Sequence, residues 1–108
     1  RSLWRARFHI ALLYSTKSED LKNIIDLILK TLNNHEQIST DPLVKLDQFG
    51  ASSIDIMVSY LVITNDFKVL MDVKETINFA IIKIVRDNHT DFAFPSTSLY
   101  VEKGPGPH

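Results

Sequence analysis

Few residues in this chain of 108 have types and spacings that could do chemistry. Asp87, His89 and Asp91 alternate within five positions. Two carboxylates with an imidazole could hold a divalent ion or relay a proton. Their position at a helix end gives the plainer expectation, a hydrated polar terminus. His9 stands among arginines that disfavour a cation, and His35-Glu36 reads as a loop pair. No His-Glu-x-x-His pattern or cysteine–histidine grid is present. Ser52-Ser53 after Gly50-Ala51 forms a small-residue loop, but it lacks the Gly-x-Ser-x-Gly pattern and any base, so a hairpin turn accounts for it. The only glycines are Gly50, Gly104 and Gly106, too few for a phosphate-cradling loop. Glu19-Asp20 sit at a helix start, where the dipole favours acids. No catalytic, cofactor-binding or metal-ligating set is expected.

The bulk numbers agree with a plain binding or structural role. At this length the chain is one domain, able to bury some two-thirds of its unfolded surface. Its 44% hydrophobic and 23% charged residues are ordinary for a globular protein. A net charge of −1 advertises neither nucleic acid nor an anionic membrane. Without cysteine there are no disulfides and no thiolate chemistry. No run approaches the roughly 20 apolar residues of a membrane-spanning helix, and no signal peptide is visible. The chain opens at Arg1, so it is expected to be a piece of something longer.

The elements are organised around Ser53–Ile63. Ile54, Ile56, Val58, Tyr60 and Val62 alternate with Asp55, Met57, Ser59, Leu61 and Ile63, the period of a strand. Its second half is apolar on both sides, which predicts a central strand covered on both faces. Before it, residues 5–14 alternate with Phe8, Ile10 and Leu12 inward and Arg5, Arg7 and His9 outward. Thr16 and Glu19 read as a capping box. Leu21, Ile24, Ile25, Ile28 and Leu32 then follow at helical spacing until Asn33-Asn34. Asp41-Pro42 predicts an extended backbone. A strand over 43–49 carries Val44 and Leu46 inward, and Gly50-Ala51-Ser52 turns it back as an antiparallel hairpin. Asn65-Asp66 offers an N-cap for a helix over 67–88, with Leu70, Val73, Ile77, Ile81 and Ile84 as its stripe. Residues 91–101 form a last strand interrupted by Pro95. Residues 1–103 thus make one domain, and 104–108 a flexible tail or expression remnant. The order βαββαβ predicts an α+β, ferredoxin-like sandwich: an antiparallel four-stranded sheet with two helices on one face.

That fold also serves RNA recognition, but the outward sheet positions Arg7, His9, Asp55, Met57 and Ser59 offer no aromatic pair for base stacking. Nucleic acid is therefore not an expected partner. Two apolar surpluses do need a purpose. Met71, Phe79 and Ile82 lie off the stripe of the second helix, and Phe92, Phe94, Leu99, Tyr100 and Val101 crowd the end. Part of this fills the domain's own core, and the excess points to a subunit interface.

The order of motifs resembles the C-terminal domain of the small-conductance mechanosensitive (MscS-like) channels. The matching stretches are Tyr14-Ser15-Thr16, Asp41-Pro42-Leu43-Val44, Phe49-Gly50-Ala51-Ser52-Ser53-Ile54-Asp55-Ile56 and Phe92-Ala93-Phe94-Pro95-Ser96, with Arg5-Ala6-Arg7 like that domain's basic start. The likeness runs from 5 to 101. The family's usual ending is Ile-x-Ile-Pro-Phe-Pro-Gln, and here Ala93 and Ser96 depart from it. The resemblance implies a non-enzymatic module with no cofactor, on the cytoplasmic side of a membrane-embedded parent. Seven copies would enclose a chamber below the pore that supports assembly and filters ions and small solutes. Phe92, Phe94 and Pro95 would turn the chain toward a terminal barrel closed by Leu99, Tyr100 and Val101. Phe79 and Ile82 would meet a neighbouring copy. Excised, the domain would be a monomer or a weak oligomer. Two other readings are a ligand-sensing ferredoxin-like regulatory domain and a small acid–base enzyme built on Asp87, His89 and Asp91.

Overall fold

The computed structural model describes residues 2–94. Five elements follow one another: β1 (Leu3–Leu13), α1 (Ser18–Asn33), β2 (Leu43–Phe49), β3 (Ser53–Ile63) and α2 (Phe67–Asp87). The strands form an antiparallel sheet in the order β1-β3-β2. β1 pairs with β3 along its whole length, from Leu3 opposite Ile63 to Leu13 opposite Ser53. β3 is therefore the central strand, as its period requires.

The register sets the two faces. Ala6, Phe8, Ile10 and Leu12 lie opposite Tyr60, Val58, Ile56 and Ile54, and Val44 of β2 also lies opposite Val58. These side chains join Leu21, Ile24, Ile28 and Leu32 of α1 and Leu70, Val73, Ile77, Ile81 and Val85 of α2 in one core. Both helices therefore cover the same face. Burying each large aliphatic side chain there is worth about 1.5–3 kcal/mol.

Several expectations need correction. The capping box does not form. The Thr16 hydroxyl instead donates to the Leu13 carbonyl and meets Thr90 Oγ1 at 2.7 Å. The helix starts one residue further on, with Lys17 as an N-cap that makes no side-chain bond, and Glu19 and Asp20 supply the favourable charge of the first turn. Asp41 is not extended but left-handed, with φ 68°, a conformation its short polar side chain tolerates. Val85, not Ile84, is the fully buried residue of α2's last turn. The helices cover β3 on one face only, although Ser59 on the other face is also buried. On its other face Leu61 and Ile63 are half-buried. Beside them Ser39 N–H donates to the Leu61 carbonyl at 2.9 Å, and Ile63 N–H donates to the Gln37 carbonyl at 2.9 Å.

Asp66 caps α2 as expected, its carboxylate accepting from Lys68 N–H at 2.9 Å. At the far end Asn88 is buried, and its backbone N–H and both ends of its side-chain amide are hydrogen-bonded. Its backbone N–H donates to the Val85 carbonyl, its Nδ2 to the Ile84 carbonyl at 2.8 Å, and its Oδ1 accepts from Asn23 Nδ2 at 2.8 Å. The chain then returns alongside β1. Leu13 N–H donates to the Asp91 carbonyl and Ala93 N–H to the Ala11 carbonyl, leaving an isolated antiparallel bridge between Phe92 and Leu12. Three strands are thus formed among the described residues. The rest of the expected fourth strand, including Pro95, Leu99, Tyr100 and Val101, lies outside them.

Candidate interaction surface

The residues whose types could do chemistry are each engaged by other partners. Asp87 accepts from Lys83 Nζ at 2.9 Å, which raises the lysine's pKa. Asp91 accepts from Phe92 N–H at 2.8 Å and from Arg86 Nε at 3.3 Å, and these two bonds hold its carboxyl below the usual range. His89, in the left-handed region with φ 64°, faces Asp20 across to α1, 3.4 Å away. No three His, Cys, Asp or Glu side chains gather as metal ligands among the described residues. Ser53 donates to Asp55 Oδ1 at 2.8 Å, within a hairpin closed by Gly50 N–H donating to the Ser53 carbonyl. His35 Nδ1 accepts from Gln37 N–H, a loop bond.

The open face of the sheet is polar and carries the charges. Arg5 Nη1 donates to Ser59 Oγ at 2.8 Å. His9 is not isolated: its Nε2 lies 2.7 Å from Asp47 Oδ2. His9 pairs with Met57, and Asp47 sits at the irregularity between Leu46 and Gln48, so the contact runs from β1 to β2 across the central strand. Asp55 is held below the usual carboxylate range, first by Gln48 Nε2, then by the Ser53 hydroxyl, with a smaller contribution from His9. Alternation could not reveal the His9–Asp47 contact, because it depends on a break in that alternation.

The apolar surplus of α2 is exposed. Phe79 is 66% accessible and Ile82 37%, and with Met71 they line one exposed face of α2 away from the buried stripe. Of the expected interface residues near the end, Phe92 packs against the core with the Arg86 guanidinium 5.9 Å from its ring centroid. Phe94 is 81% exposed.

A second apolar patch escaped the sequence reading. Tyr14 and Phe49 are about two-thirds exposed and meet edge to face, with ring centroids 6.3 Å apart. Leu46 and Phe49 lie opposite Ile56 and Ile54, so the irregularity at Asp47 brings both onto the core-facing side at the edge of the sheet. Leu46 was expected inward, yet at this edge it remains 41% exposed. The odd spacing from Leu46 to Phe49 was the available signal.

The fold and these surfaces define an α+β domain with a charged open sheet face and exposed apolar patches. A sequence profile described as "Mechanosensitive ion channel MscS, C-terminal" matches residues 6–92, so the chain belongs to the MscS family through its C-terminal domain. An uncharacterised MscS family protein of Aquifex aeolicus is 40% identical over 107 residues, covering 97% of this chain and 29% of that protein. The low conductance mechanosensitive channel YnaI of Escherichia coli is 33% identical over 81 residues, covering 73% of this chain and 24% of its own length. The chain thus spans less than a third of these relatives. Among solved structures, closed-state Helicobacter pylori MscS superposes with a TM-score of 0.70 at 16% identity, covering 87% of this chain and 36% of that one. Arabidopsis thaliana MSL1 superposes with a TM-score of 0.78 at 12% identity, over 88% and 35%.

Proposed function

We propose that this chain is the cytoplasmic domain of a tension-gated ion channel, working without covalent chemistry or cofactor. Copies of it enclose a chamber below the pore that supports assembly and filters permeating ions and small solutes. The family match over residues 6–92 carries this reading. The division of the surface supports it. A sheet face bearing Arg5, Arg7, His9, Lys45, Asp47 and Asp55 suits a wall against solution, whereas Phe79 and Ile82 suit a contact with a neighbouring copy.

The segment from 91 onward completes a four-stranded ferredoxin-like sheet, for which the Phe92–Leu12 bridge is the first pairing. Beyond it Phe94 and Pro95 turn the chain toward a shared terminal barrel, with Leu99, Tyr100 and Val101 closing it. Residues 1–103 act as one unit, and 104–108 as a tail.

Recording from liposomes that hold the full-length protein tests this. Stepwise currents should appear with rising membrane tension. Correctly inserted protein that stays silent up to the lytic tension would contradict the proposal. No His89 chemistry is involved, so His89→Ala should leave such currents unchanged.

A further inference from the structure

β2 carries one residue more than its pairing with β3 needs. Val44 and Leu46 lie opposite Val58 and Ile56, but Gln48 and Phe49 lie opposite Asp55 and Ile54, so Asp47 is the extra residue. Continuing the first pairing without a bulge would set Asp47 opposite Asp55, Gln48 opposite Ile54 and Phe49 opposite Ser53. Side chains alternate with a period of two, so this slip sends Gln48 and Phe49 to the opposite faces of the sheet. Phe49 would leave Tyr14 for the charged open face, and Gln48 would take the helix side.

Burial does not choose between the two registers. β2 is an edge strand, and both Leu46 and Phe49 are exposed. Register is only weakly specified where neither face is sealed. Charge makes the choice. In the slipped pairing the carboxylates of Asp47 and Asp55 would stand directly opposite each other, which is unfavourable. In the bulged pairing Asp47 and Gln48 both reach the open face, and each finds its own partner there. Asp47 Oδ2 lies 2.7 Å from His9 Nε2, and Gln48 Nε2 donates to Asp55 Oδ2 at 3.1 Å. The extra residue thus replaces one like-charge pair with two favourable contacts. Arg7 and Lys45, the cations two residues before His9 and Asp47, form no ion pair among the described residues, which leaves His9 to take Asp47.

We infer that the end of β2 is a two-register switch, held in the bulged register by the His9–Asp47 clasp and by the repulsion that would set Asp47 against Asp55. The bulged register presents the Tyr14–Phe49 aromatic pair at the end of the sheet. The slipped register carries Phe49 to the open face and dissolves that pair. A charge on one face of the sheet thereby controls an apolar patch on the other.

NMR of the 108-residue chain reads the register directly. In the wild type, nuclear Overhauser effects should join the Phe49 and Tyr14 rings and place the Phe49 backbone opposite Ile54. Asp47→Ala removes both holds at once. It should abolish the ring contact and move the backbone partner of Phe49 to Ser53, while Val44 stays opposite Val58. His9→Ala removes only the clasp and should give two sets of β2 signals, one for each register. Adding Asp55→Asn to it should make the slipped set dominant. An Asp47→Ala chain that keeps Phe49 opposite Ile54 and beside Tyr14 would overturn the inference. Should that variant not fold, Asp47→Asn decides in its place, because it keeps the size of the side chain and removes the charge. Slipped signals in it support the switch, and a single bulged set overturns it.

Discussion

Tyr60 is the least satisfied residue in the core. Only 2% exposed, its hydroxyl finds no hydrogen-bond partner, and burial pushes its pKa up to about 12. An unpaired buried hydroxyl costs roughly 1–3 kcal/mol, so Tyr60→Phe should leave stability unchanged or raise it by about 1 kcal/mol in chemical denaturation. The pH dependence follows the same residue. Below pH 10 both folded and unfolded chains carry the neutral phenol, so its contribution is fully present. Between about pH 10 and 12 only the unfolded chain ionises, and roughly 2 kcal/mol should be lost across that window. Tyr60→Phe should flatten that part of the curve. Asp55 works in the opposite direction. Its lowered pKa stabilises the fold above the ordinary value of 3.8, and this contribution fades as pH falls below it. Asn88→Ala removes two side-chain bonds at a buried helix end and should cost about 2 kcal/mol, measurable as a lower denaturant midpoint.

Among the elements, α2 has two faces with separable consequences. Ile77→Ala on the buried stripe should cost about 2–5 kcal/mol. Phe79→Asp on the exposed face should change the chain's own stability by no more than about 0.5 kcal/mol. The same substitution should weaken association of copies, and denaturation read beside sedimentation separates the two effects. α2 also shows what local reasoning reaches. The periods of two and 3.6 placed β3, β2 and both helices, because those periods are properties of the backbone itself. The Asp66 cap was legible because it lies within two residues of its partner. What local reasoning missed was long-range. Thr16 resembles a cap but meets Thr90, Asn23 reaches Asn88, and His9 reaches Asp47 only because β2 breaks its alternation. None of these pairings leaves a periodic trace. The surplus on α2 was visible as excess, whereas the Tyr14–Phe49 patch required the register of three strands.

At the scale of the whole molecule, the domain combines a charged sheet face, a core shared by both helices and two exposed apolar patches. No helix among the described residues is long and apolar enough to cross a membrane. The proposed role therefore calls on membrane segments elsewhere in a longer parent, in keeping with relatives more than three times the length of this match. The proposed assembly would cover Phe79 and Ile82, which are exposed in a single copy. The most direct measurement is native mass spectrometry of the full-length protein released from detergent. The expected result is a mass of seven copies, collapsing toward one when Phe79→Asp and Ile82→Asp are combined. A wild-type mass of one or two copies would contradict the chamber.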